Sequence, residues 1–76
     1  MNVEELRQKA IEVAKRVNGT SGNNRLHSYQ IEHDLGYAEA LIHVLNASLN
    51  NNATLPDSVT ENIKGSIESL NNDYPI

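Results

Sequence analysis

The chain gathers its histidines and a run of acids between residues 27 and 43, where His27, His33 and His43 fall among Glu32, Asp34 and Glu39. Metal chemistry is the first possibility these residues raise. Glu32, Glu39 and His43 share one helical face, but di-iron bundles draw a Glu-x-x-His pair from each of two helices, and the step from Glu39 to His43 is one residue too long. With no cysteine in the chain, thiolate catalysis and thiolate metal sites are excluded. No Ser-His-acid set can be picked out either. We therefore assign no catalytic residue, no metal ligand and no cofactor, and expect Glu32, Glu39 and His43 to form a solvated face and the chain not to be an enzyme.

Two other clusters bear on binding. Gln30, Asp34 and Tyr37, with His27, fall within about 80° of one another on a helix, beside its apolar arc. A half-buried Asp34 hydrogen-bonded to Gln30, Tyr37 or a histidine would form a specific polar network. The loop "NGTSGNNR", residues 18 to 25, leads into the same helix. Its glycines allow backbone amides to converge, a helix N-terminus adds positive potential, and Arg25 offers a fork of donors, a combination suited to phosphate or carboxylate. Lys15, Arg16, Thr20, Ser21, Arg25, His27 and Tyr29 are the candidate anion or nucleotide ligands. The loop is not a phosphate-binding Walker loop, because Gly19 and Gly22 are too close and no Gly-Lys-Ser/Thr follows.

Three helices must position these groups. Val3, Leu6, Ala10, Val13 and Val17 recur at spacings of three and four and predict a helix over 3–17. Glu5 with Lys9 and Glu12 with Arg16 are i,i+4 pairs in the favourable order, and Gly19 is placed to cap the C-terminus. Ile31, Leu35, Ala38, Ile42, Leu45 and Leu49 form the seam of a second helix over 25–49, widened by Leu41 and Val44. The file Tyr29, His33, Gly36, Ala40, His43 and Ala47 lies about 160° from that seam. Apolar or small residues thus line two opposite faces, where a surface helix has one. Val59, Ile63, Ile67, Leu70 and Tyr74 predict a third helix over 57–72, opened by Pro56 and by Ser58 with Glu61 as a capping box. The tail "DYPI" is expected to dock loosely. The fold class is all-α, a single domain over 1–76: a three-helix hairpin or bundle whose long middle helix is central and receives the other two.

At 76 residues the core is small, and a domain of this size gains from association. The file around Gly36 is accordingly the expected homo-oligomer interface. Net charge is −4, with residues 1–25 carrying five basic and three acidic side chains and residues 26–76 seven acids and only Lys64. No basic stripe follows a face, so DNA is not an expected partner. No apolar run reaches the ~20 residues of a membrane span and no secretory signal opens the chain. A cytoplasmic location, the host cytoplasm if the chain is phage-encoded, is the expectation.

Two stretches carry resemblances. "VEELRQKAIEVAKR" followed by "YQIEHDL" resembles the Spo0E-like aspartyl-phosphate phosphatases, short helical hairpins with a Ser-Gln-Glu-Leu-Asp signature in the second helix. With Glu32 and Asp34 on the signature acids, Gln30, Ile31 and His33 replace its other three residues, so the activity is not carried over. The dipeptide His33-Asp34 is similar to that of the HD-type phosphohydrolases, which need further ligands on a longer chain. "DLGYAEALIHVL" resembles helices of small phage and prophage accessory proteins, and this resemblance implies binding to a host factor or nucleotide signal. The expected function is therefore a non-enzymatic accessory that sequesters or blocks a host protein or small nucleotide ligand. A small phosphatase using Asp34 and Glu32, or a structural assembly component, are the alternatives.

Overall fold

The computed structural model describes residues 2–20 and 28–75, which form three helices: α1 (Val3–Gly19), α2 (Ser28–Asn50) and α3 (Asp57–Asp73). Each end reflects local chemistry. Asn2 caps α1, its side-chain oxygen accepting from the Glu5 amide at 2.8 Å. At the other end α1 runs through Gly19 without a left-handed residue, contrary to the expected glycine cap. Thr20 ends it instead: its amide reaches the Arg16 and Val17 carbonyls and its hydroxyl donates to the Arg16 carbonyl at 2.8 Å. α2 closes in a Schellman turn, with Asn52 left-handed at φ 51°, its amide on the Leu49 carbonyl and the Ala53 amide on the Ser48 carbonyl. The buried Ser48 hydroxyl donates to the Ala53 carbonyl and secures the same turn.

The capping box at Ser58 and Glu61 does not form. Pro56, fixed near φ −58°, is the N-cap and α3 begins at Asp57 as expected; the Pro56 carbonyl accepts from the Val59 and Thr60 amides, and no side chain caps the helix. Ser58 already lies inside the first turn.

The core takes Leu6, Ala10, Val13 and Val17 from α1, Ile31, Ala38, Leu41 and Leu45 from α2, and Ile63, Ile67, Leu70 and Tyr74 from α3. α1 and α2 form the tightly packed hairpin. α3 lies against one side of this hairpin, closer to α1 than to α2. The long middle helix, expected to receive both others on its Leu/Ile face, packs closely with α1 and meets α3 and its end through the Tyr37–Ser66 and Asp34–Tyr74 contacts. Val44 also departs from expectation: read as widening the core stripe, it is 44% exposed. The tail is docked rather than loose. Tyr74 is 3% exposed, its amide donates to the Leu70 carbonyl, and its own carbonyl accepts from Arg16 Nε at 3.0 Å. That contact occupies Arg16, and the expected Glu5–Lys9 and Glu12–Arg16 pairs are not formed. No helix among the described residues is long and apolar enough to cross a membrane.

Candidate functional site

Asp34 sits one turn beyond Gln30 on α2, on the flank turned toward the end of α3, and is 8% exposed. A carboxylate so placed needs donors, and it has three. Tyr74 Oη donates to Oδ2 at 2.5 Å, Gln30 Nε2 reaches both oxygens at 3.2 and 3.3 Å, and His33 Nδ1 lies 3.3 Å from Oδ1. Burial pushes the carboxyl up, but donation from Tyr74, Gln30 and His33 outweighs it, and Asp34 is held below its ordinary value. Burial, and next the Asp34 carboxylate itself, pushes the Tyr74 phenol well above its ordinary value.

This arrangement keeps the two α2 members of the polar cluster that lie one turn apart and replaces the third. Tyr37 does not join: three residues past Asp34, its ring reaches outward over α3, and its hydroxyl bonds Ser66 Oγ at 2.6 Å. Tyr74 takes the vacant role. Its place in the α3 seam was legible, but nothing local in the sequence links a phenol to a carboxylate 40 residues away. Among the described residues no buried side-chain polar atom lacks a partner, so the network is closed.

The anion candidates are not brought together. Arg16 turns toward α3 and Tyr74, while Lys15 lines the opposite side of α1, across from Glu39 of α2. Thr20 spends its hydroxyl on the Arg16 carbonyl. Tyr29 is exposed on the first turn of α2, and Ser21, Arg25 and His27 lie outside the described residues. Among the described residues no group of three histidine or acid side chains is placed to hold a metal ion.

The outer file is uncovered. Tyr29, His33, Gly36, Ala40, His43 and Ala47 are all exposed, and a methyl group added at Gly36 would meet no atom within 4 Å. Neither α1 nor α3 wraps this side. Tyr37 and Val44, each 44% exposed, extend the surface toward α3. His33, Tyr37, Ala40, Val44 and Ala47 then succeed one another at steps of four and three, the repeat with which helices pair. The sequence contained that second seam, but Val44 was read into the core stripe and Tyr37 into the polar cluster around Asp34.

Compared with known proteins, the chain matches no family model, no curated protein and no solved structure.

Proposed function

We propose that the chain is a non-enzymatic binding protein that receives an amphipathic helix of a partner protein along the outer face of α2. The observation that carries this is the exposure of the entire Tyr29-to-Ala47 file together with the pairing repeat beside it. Gly36, Ala40 and Ala47 let a second backbone approach closely, while Tyr37 and Val44 supply apolar area. The flank carries Glu32 and Glu39, and α2 holds no lysine or arginine. Its complement is a helix whose apolar seam is bordered by basic side chains. A second copy of α2 in that place would bring glutamates to the rim with no cation between them, which favours a foreign partner over self-pairing on this face. Capture of this kind would block or sequester the partner. Asp34 has no part in it, since its oxygens are engaged by Tyr74, Gln30 and His33.

Calorimetric titration tests this with a synthetic helical peptide bearing a leucine and alanine seam flanked by lysines, and a glutamate-flanked twin. The lysine peptide binds and the twin binds at least tenfold more weakly. Gly36→Leu, which the open space at that position accommodates, weakens binding at least tenfold with the melting temperature retained. Equal binding of both peptides, or of both proteins, overturns the proposal.

A further inference from the structure

The α1/α2 hairpin is apolar on two sides, and α3 covers one of them. On the other, an open cleft of about 310 Å³ runs between the helices, with Ile11 and Ala14 on the α1 wall and Leu35 and Ile42 on the α2 wall. All four are only half-buried. Lys15 stands on one lip and Glu39 on the other, and neither forms an ion pair among the described residues. One turn beyond Ile11 and Ile42, Arg7 Nε donates to Asn46 Oδ1 and ties the same two helices together.

We propose that a second copy of the chain occupies this cleft, so that two α1/α2 hairpins form a four-helix bundle. The opposite charges on the two lips choose the occupant. With a two-fold axis running along the cleft, α1 of each copy lies over α2 of the other at the same height. Lys15 then meets the partner's Glu39, and the symmetry makes that pair twice. Between the pairs the half-buried Ile11, Ala14, Leu35 and Ile42 of both copies close on one another, completing a core of the kind four-helix bundles share. A foreign helix would need the same order of charges to do as well, whereas a second copy supplies it by construction. The Gly36 file lies on another side of α2 and stays outside the interface, while Glu39 borders both faces, so Gly36→Leu is the variant that separates the dimer from the capture proposed above.

Sedimentation equilibrium of the full chain tests this. The wild type sediments at twice its 8.4 kDa mass. Lys15→Glu sets acid against Glu39 at both lips, Glu39→Lys sets base against Lys15, and each alone raises the dimer dissociation constant at least tenfold. An equimolar mixture of the two variants restores the dimer, because every lip pair in the heterodimer is again of opposite sign. Gly36→Leu sediments as the wild type does. A monomeric wild type, single variants that associate as well as the wild type, or a mixture that stays dissociated would each overturn the proposal. Loss of peptide binding in Gly36→Leu with the dimer intact bears on the outer face alone.

Discussion

The inner and outer faces of α2 are made from the same 23 residues and treated in opposite ways. Inside, Ile31, Ala38, Leu41 and Leu45 are covered by apolar neighbours, and the one buried acid, Asp34, has every oxygen engaged. Outside, Gly36, Ala40, His43 and Ala47 stand exposed to solvent. The difference teaches that satisfaction, rather than polarity, separates structural from available groups. Asp34 is the more reactive residue type, yet its bonds make it part of the scaffold. Gly36 has no functional group, yet the open space over it makes its face available.

Truncations sharpen this contrast. The largest effect is expected for Leu45→Ala at a fully buried site, which costs about 2–5 kcal/mol; urea unfolding followed by circular dichroism measures it, and a cost below that of an exposed alanine site would break the distinction. Tyr74→Phe comes next. It leaves a buried carboxylate oxygen without its phenol donor and costs about 1–3 kcal/mol, read by the same unfolding curves. The smallest effect is at Gly36, where Gly36→Ala stabilises by about 1 kcal/mol through helix propensity, with nothing in the way of the new methyl group.

The same contact sets a pH dependence. Because the folded-state value of Asp34 is depressed, its contribution is present above the ordinary carboxyl value near 3.8 and is lost as pH falls through the folded value below it. Tyr74 works in reverse: its folded-state value is raised, so its contribution is complete below about 10.0 and declines as pH rises above that. Melting temperature plotted against pH should fall at both edges, and Tyr74→Phe should remove the alkaline edge and flatten the acid one. An unchanged profile in Tyr74→Phe would mean the two groups are not coupled.

The sequence made much of this scaffold legible and less of the site. Helix extents followed from spacing, since Leu6, Ala10, Val13 and Val17 or Ile63, Ile67 and Leu70 repeat with the helical period and little else competes. Helix ends were harder, because caps depend on which of several polar residues reaches an amide first. Thr20 ended α1 where Gly19 was expected, and Pro56 opened α3 before Ser58 could. The Asp34 network was half legible: Gln30 and His33 are sequence neighbours, whereas Tyr74 arrives only after α3 has packed. Arg16 was hidden for the same reason, its guanidinium turning from the expected Glu12 to the Tyr74 carbonyl across the bundle. That α3 lies closer to α1 than to α2 was not legible, because periodicity ranks faces by apolar content and does not say which helix the third one lies along.

Amide chemical-shift mapping of the isotope-labelled chain, titrated with the lysine-flanked helical peptide, tests the division of α2 into a closed and an available face most directly. Perturbations are expected to follow Tyr29, His33, Gly36, Ala40, His43 and Ala47 in helical steps, with the signals of Asp34 and Leu45 little moved. Perturbations centred on Ile11, Leu35 and Ile42, or spread evenly through the core, would contradict it.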